Sequence, residues 1–362
     1  MDALTKLIES GELSGFRGYP EGHDGGPHVQ QLQKVFREYF GVKHAIAMNS
    51  ATSALHAALI ATIEKGDRVV VSPYTFSASA SCVLLAGGIP VFADIDPDTF
   101  CITPETIRNA CRTKAGGFQT PKAIIPVHLC GGMADVRHMD APFIIEDAAQ
   151  AIGAWDGDYA GTIGDCGIFS FNQSKHINTG EGGMLITNDD KIARIVRAVR
   201  NHGEVSDPTL KIVGYNYRLG EIEALLALPQ FAGIDQNLAI RNMLETHLSS
   251  GLSKIEGLTV PYRNPRAYHS WYTYPLKIDE SWGDKWELCD KLKEKGVYFG
   301  TYVKPLHLLP IYEQFGYKEG DCPVAERMWS KELIVTDTLR PTNTISEMNG
   351  IIRAFEEIRE EM

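Results

Sequence analysis

The stretch FIIEDAAQAIGAWDGDYAGTIGDCGIFSFNQSKHINTGEGGMLITN, residues 143–188, holds three short apolar runs joined by two very different connections. FIIE (143–146), GIFSF (167–171) and MLITN (184–188) read as strands apolar on both faces, the pattern of a sheet covered on each side. The gap between the first two is long enough for the crossover that parallel neighbours need. Only residues 172–183 separate the second pair. They are rich in glycine and lack helical periodicity, so this pair meets as an antiparallel hairpin with a long loop. Lys175, in that loop, then points toward the carboxyl edge of the parallel strands, where open α/β sheets bind their ligands.

Upstream, HAIAM (44–48), RVVVS (68–72), PVFAD (90–94) and AIIPV (123–127) repeat the strand pattern and bring the count to seven. Helical patterns such as TSALHAALIATIEKG (52–66) fill the gaps. FIIED itself is expected to run into a helix of small residues, AAQAIGA. The fold class is therefore α/β: a large domain with a mostly parallel seven-stranded sheet flanked by helices. Downstream of Gly220, residues 221–255 form a long helical stretch interrupted by Pro229, which carries the chain out of the sheet. TYPLKI (273–278), VYFGTYV (297–303) and ELIVT (332–336) then alternate with helical segments and predict a smaller C-terminal α/β domain. The expected division is 1–235 and 236–362.

Composition narrows the function. With 35 Lys plus Arg against 46 Asp plus Glu, the 362-residue chain carries a net charge of -11, which repels nucleic acid and anionic membranes. A 44% hydrophobic, 22% charged mix is that of a globular protein. The seven cysteines are odd in number and form no CxxC pair, arguing against a disulfide framework or a zinc ribbon and for a reducing compartment; they are expected to be buried. No signal segment or apolar run of membrane-spanning length occurs, so a cytoplasmic location is expected.

Three places carry chemistry. In NSATSALHAAL (49–59) a strand ends and a helix begins near Ala51, so exposed N–H groups and the helix dipole make an anion site, helped by Thr52 and Ser53. Ordinary capping would look the same. Asp147 ends a core strand, where it can meet a cationic ligand nitrogen or serve merely as a helix N-cap. Lys175 stands among Ser170, Asn172, Ser174, Thr179 and the glycines 180, 182 and 183. Those surroundings suit a lysine held deprotonated against a carbonyl compound, although an isolated lysine is ordinarily a solvated surface residue. An anion site, a strand-end aspartate and a loop lysine are the three fixings of pyridoxal phosphate: phosphate, ring nitrogen and aldehyde.

With these residues in view, the sequence resembles the fold type I, pyridoxal phosphate-dependent sugar aminotransferases of the DegT/DnrJ/StrS group, over nearly the whole chain. The likeness rests on GFRGYPEGHDGGPHVQQLQ (15–33), NSATSALHAAL, SPYTFSASASCVLLAGGIPVFADIDPDTF (72–100), IIPVHLCGGMADV (124–136), IIEDAAQAIGA (144–154), the Lys175 loop, RNHG (200–203) and GYNYRLGEIEA (214–224). The resemblance implies Lys175 as the Schiff-base lysine and Asp147 as partner of the pyridine nitrogen. Phe76 would stack on the ring, and Gln150 would bond near its phenolic oxygen. Backbone amides of Ala51 and Thr52 with Ser170 would hold the phosphate, and Asn216 would reach it from a second subunit, which implies a homodimer. Read without the family, Phe76 serves equally as core packing.

The implied activity is transfer of an amino group from glutamate or glutamine to a keto sugar, nucleotide-linked in most of these enzymes, with the cofactor cycling between its pyridoxal and pyridoxamine forms. Alternatives are transamination of a non-nucleotide cyclic ketone, a sugar dehydratase, or a non-catalytic ligand-binding protein on the same fold. Retention of Lys175 argues against the dehydratase branch, which has His there. His176 replaces a common Asn, Cys130 a frequent aromatic and Ala51 a usual Gly, and LIVTDTLRPTNT (333–344) departs from the usual ending, which leaves substrate choice open. His128 and His176 are candidate substrate contacts. His307 is left without a role. No metal is implied.

Overall fold

Val69, Val70 and Val71, like Ala123, Ile124 and Ile125, are wholly buried, and such two-faced burial is possible only inside a covered sheet. The structure, a computed structural model, describes residues 2–16, 23–112, 117–204 and 212–362. Its main sheet has seven strands: β1 (His44–Met48), β2 (Arg68–Val71), β3 (Ile89–Phe92), β4 (Ala123–Ile125), β5 (Phe143–Asp147), β6 (Cys166–Ser170) and β7 (Gly183–Thr187). They lie in the order β1-β7-β6-β5-β4-β2-β3. Strands β2 to β6 are parallel. Strand β7 runs antiparallel to both of its neighbours, with Ser170 opposite Gly183 and Met48 opposite Gly183. The expected hairpin is thus present.

Helices cover both faces. Helices α1 (Asp2–Ser10) and α2 (Pro27–Phe40) precede β1, and α3 (Ala51–Thr62), α4 (Ala78–Leu85) and α5 (Pro104–Ala110) follow β1, β2 and β3. Next come α6 (Asp190–Arg200), α7 (Glu221–Ala232) and α8 (Ile234–Leu252). One core joins α3 and α4 to the sheet. The other, beneath α2 and α7, is aromatic: Phe36 stacks on Phe231 at 4.4 Å and meets Phe169 and Phe171 edge-on at 5.9 and 5.6 Å. Each buried ring there contributes roughly 2–3 kcal/mol. A smaller three-stranded antiparallel sheet, β8 (Leu258–Thr259), β9 (Tyr274–Ile278) and β10 (Leu333–Thr336), packs with α9 (Lys285–Glu294) and α10 (Ile345–Glu361). The change of core falls within α8, whose Ile234 and Leu238 pack with the aromatic cluster and whose Leu244, Leu248 and Leu252 pack with the small sheet.

Local chemistry explains several boundaries. Ser50 caps α3 by accepting from the Ser53 N–H, and Asp189 caps α6 from two N–H groups. Thr344 and Glu347 form a reciprocal capping box at α10.

Four expectations need correction. No helix follows Asp147: Ala148–Gly153 form turns leading to a tight hairpin of Trp155–Asp156 with Asp158–Tyr159, because Gly153, Gly157 and Gly161 all adopt left-handed backbone that ends helical propagation. The long helix runs through Pro229 and breaks at Gly233. VYFGTYV forms no strand beyond a single bridge between Gly300 and Val335, and the third small strand is Leu258–Thr259. Cys289 is half-buried, unlike the other six cysteines. Residues 17–22 of the GFRGYPEGHDGG motif lie outside the described residues.

Candidate active site

Everything the sequence singled out at a strand end comes to one edge. Residues after β1 (Ser50 to Thr52), after β2 (Tyr74 to Ser79), after β4 (His128 to Gly132), at the end of β5 (Asp147) and β6 (Ser170), and in the β6–β7 loop (Lys175) follow the carboxyl ends of strands arranged in one sheet. That loop is ordered by its own backbone: Phe171 N–H bonds Gly182 O, Gln173 N–H bonds Gly180 O, and Lys175 N–H bonds Asn172 O at 2.8 Å. Gly180 and Gly182 have φ of 84° and 159°, which lets so short a segment close. The Lys175 amino group sits over the Tyr272 ring, 3.9 Å from its centroid.

Asp147 is 5% exposed. Its Oδ2 accepts from Ser79 Oγ at 2.7 Å and its Oδ1 from the Ala149 N–H at 3.2 Å, an Asx turn in place of an N-cap. Burial pushes its carboxyl above the usual range; the two hydrogen bonds and the charge of Lys175 act against that. Gln150 is fixed at both ends of its amide, Oε1 accepting from the Cys130 N–H and Nε2 donating to Tyr302 Oη, each at 2.9 Å.

The other implied contacts lie around them. Phe76, in the segment that follows β2, leaves 62% of its surface open, so it is not the core residue that packing alone would make it. Ser50 and Ala51 press so closely on Gly183 that a Cβ there would stand 2.5 Å from Ala51 N; glycine lets β7 meet the start of α3. Ser170 Oγ accepts from the Asn172 N–H at 3.3 Å. Asn216 is exposed; its Oδ1 accepts from Arg218 Nε at 2.9 Å and its carbonyl from Asn49 Nδ2 at 3.3 Å. This donor set, a helix N-terminus, a hydroxyl, an open aromatic face, a buried carboxylate and an amine, matches a flat, phosphorylated heterocycle with a basic ring nitrogen and a carbonyl.

The histidines behave otherwise. His128 is fully buried, Nε2 facing Glu146 Oε2 at 2.8 Å while Nδ1 accepts from the Ala134 N–H at 3.0 Å, so both ring nitrogens are spent inside the chain. His176 turns Nε2 to Ser270 O at 2.8 Å, and burial holds it well below the usual imidazole range, hence neutral. His307 bonds Glu326 at 2.8 Å. Sequence reading missed Ser79, Tyr272 and Tyr302. Ser79 stands in a quoted motif, SPYTFSASASC, yet nothing local marks it; Tyr272 and Tyr302 come from beyond residue 255 and carry no signal of their own.

The sequence matches the model of the DegT/DnrJ/EryC1/StrS aminotransferase family over residues 21–346. The chain belongs to this family. Its relatives include the GDP-perosamine synthase of Caulobacter vibrioides, 37% identical over 79% of each chain. Among solved family structures, a DegT DnrJ EryC1 StrS aminotransferase from Brucella abortus superposes with a TM-score of 0.86 at 30% identity, covering 98% of this chain and 94% of that one. NtdA from Bacillus subtilis, solved with bound cofactor PMP, gives a TM-score of 0.86 at 26% identity over 99% and 81%. The chain therefore has the fold type I aminotransferase architecture. Among the described residues no helix is long and apolar enough to cross a membrane.

Proposed function

We propose that this protein is a pyridoxal phosphate-dependent sugar aminotransferase that moves an amino group from glutamate or glutamine to a nucleotide-linked keto sugar. The observation that carries this reading is the convergence of the Lys175 amine, the buried Asp147 carboxylate and the start of α3 on one sheet edge beside the open Phe76 ring. Bound cofactor supplies a carbonyl that carries the amino group and a heterocycle that accepts the electrons released when the donor loses its proton. Backbone N–H groups of Ala51 and Thr52 with Ser170 Oγ hold the phosphate. Phe76 would cover one ring face, Gln150 would lie toward the phenolic oxygen, and Asp147 would keep the ring nitrogen protonated. Lys175 Nζ would hold the cofactor through its carbonyl and, once released, would serve as the general base and acid that takes up and returns the donor's proton. Asn216 completes the phosphate site of a second copy, making the working unit a homodimer. We place the enzyme in the cytoplasm, where its thiols stay reduced.

The decisive experiment is borohydride reduction of the cofactor-loaded protein followed by peptide mass mapping. The cofactor mass is expected on Lys175, and Lys175→Ala is expected to lose it together with the protein's yellow absorbance band. A label on another lysine, or none, would overturn the assignment. Absorbance changes on adding glutamate or glutamine, reversed by a panel of nucleotide-linked keto sugars and free cyclic ketones, then identify donor and acceptor; return of the band only with cyclic ketones would refute the nucleotide-sugar substrate.

A further inference from the structure

Among the described residues four non-glycine residues adopt left-handed backbone: Phe100, Cys130, His202 and Trp271. Such conformations persist only where their surroundings over-determine them, and they gather at functional sites. Cys130 (φ 57°) and Trp271 (φ 50°) lie on segments bonded to one another beside Lys175, through Ser270 N–H to Gly131 O at 3.0 Å and Tyr272 N–H to Cys130 O at 2.9 Å. Trp271 is wholly buried. Its indole N–H donates to Asn242 Oδ1 at 3.1 Å, its carbonyl accepts from Arg241 at 2.7 Å, and its ring stacks on His269 at 3.7 Å. These contacts hold the kink, and the kink decides where the next side chain goes.

That side chain is Tyr272. Its ring lies beneath Lys175 Nζ, 3.9 Å from centroid to nitrogen, and its hydroxyl is hydrogen-bonded to Ser174 Oγ at 3.0 Å, which fixes the ring's rotation with respect to the lysine loop. An aromatic face attracts an ammonium through its quadrupole and has no such hold on a neutral amine. Tyr272 belongs to the segment entering β9 of the small sheet, whereas Lys175 belongs to the large one, so the contact ties the lysine's direction to the packing of one part of the molecule on the other.

We propose that Tyr272 is a positioning residue that seats the Lys175 amino group during the interval in which it is free and carries a proton. The inference rests on the role proposed for Lys175. In the transfer, the proton leaves the donor carbon for Nζ, and the electron pair it leaves behind passes into the bound heterocycle. Nζ then gives the proton up at the receiving carbon and ends as it began. While the proton resides on nitrogen, the Tyr272 face keeps Nζ above the site and prevents the flexible four-carbon stem from swinging into solvent.

The test has one arm without cofactor and one with it. Reductive methylation of the cofactor-free protein with isotope-labelled formaldehyde gives a nuclear magnetic resonance signal for each lysine; the signal lost in Lys175→Ala is expected upfield, shifted by the ring current of Tyr272. Tyr272→Leu should return it to the position of exposed lysines, and Tyr272→Phe should keep it upfield. In single turnovers of the loaded enzyme with glutamate, Tyr272→Leu should lower the rate constant about tenfold, leave half-saturation within about twofold of wild type, and be rescued by Tyr272→Phe to within about threefold. If Tyr272→Leu does not fold, Tyr272→Met replaces it with the same expectations. A Lys175 signal indifferent to loss of the ring, or an unchanged turnover rate, would overturn the inference. Borohydride mapping alongside separates the two failures: label absent from Lys175 removes the proposed function, while label on Lys175 with an indifferent ring removes only the role of Tyr272.

Discussion

Ser79 Oγ donates a 2.7 Å hydrogen bond to Oδ2 of Asp147, joining α4 to the end of β5 across 68 positions of sequence. Both groups are buried. The contact proposed between Asp147 and a cationic ring nitrogen requires an ionised carboxylate, yet burial favours its protonated form. The serine hydroxyl, with the Ala149 N–H, is the arrangement that opposes this, because a donor aimed at the oxygen stabilises the charged state.

Ser79→Ala is therefore expected to weaken cofactor binding by about tenfold, the equivalent of one hydrogen bond to a charged group. A spectral titration with pyridoxal phosphate measures it. Wild-type affinity in the variant would show that the hydroxyl does not support the carboxylate.

The raised carboxyl of Asp147 has a sign that can be checked. Between the unfolded value of 3.8 and the higher folded one, the native state holds more protons than the unfolded state, so cofactor-free stability falls as pH rises through that window. Above the unfolded value, burying this carboxyl therefore costs the cofactor-free fold stability. Cofactor-free Asp147→Asn should thus melt a few degrees above wild type at pH 7, with the difference shrinking toward pH 3 and reversing in the loaded forms. Equal melting temperatures of the cofactor-free proteins across that range would contradict it.

Glu146, next in line to Asp147, is wholly buried and accepts from His128 Nε2 and from the N–H groups of Gly161, Ile163 and Gly164 at 2.8, 2.9, 2.6 and 2.6 Å. Replacing it strands several buried donors, and Glu146→Ala should cost about 3–5 kcal/mol. His128→Gln should lower the melting temperature while the loaded protein keeps its absorbance band, since His128 spends both nitrogens inside the chain. Loss of the band at unchanged stability would return His128 to the pocket.

Gly183→Ala forces a Cβ to within 2.5 Å of Ala51 N and 2.7 Å of Ser50 O. The start of α3 has to move away from β7, and with it the N–H groups assigned to phosphate. Cofactor affinity is expected to drop by more than about tenfold while the fold survives, read as a titration in parallel with circular dichroism. An alanine variant binding as wild type would detach that helix start from the phosphate.

The strands of the main sheet were legible because a doubly covered strand is apolar along most of its length, as FII (143–145), GIF (167–169) and MLI (184–186) are, with polar residues left to its carboxyl end. The hairpin loop was legible because twelve glycine-rich residues cannot hold a crossover helix. The AAQAIGA segment misled for an equally physical reason: small residues favour helix locally, but Gly153, Gly157 and Gly161 in left-handed backbone favour turns. VYFGTYV is apolar enough for a strand, yet its one strand-like pairing is the bridge of Gly300 to Val335.

By itself the sequence determined the order and type of most elements, the start of α3 at the end of β1, and the places of Asp147 and Lys175 along the chain, because periodicity, capping and turn residues act over a few positions. Tertiary structure alone decided which groups face them. Ser79 reaches Asp147, Tyr272 reaches Ser174 across 98 positions, and His128 turns away into Glu146. Such pairings follow from how sheets and helices close-pack on one another, and no local stretch of chain contains that information.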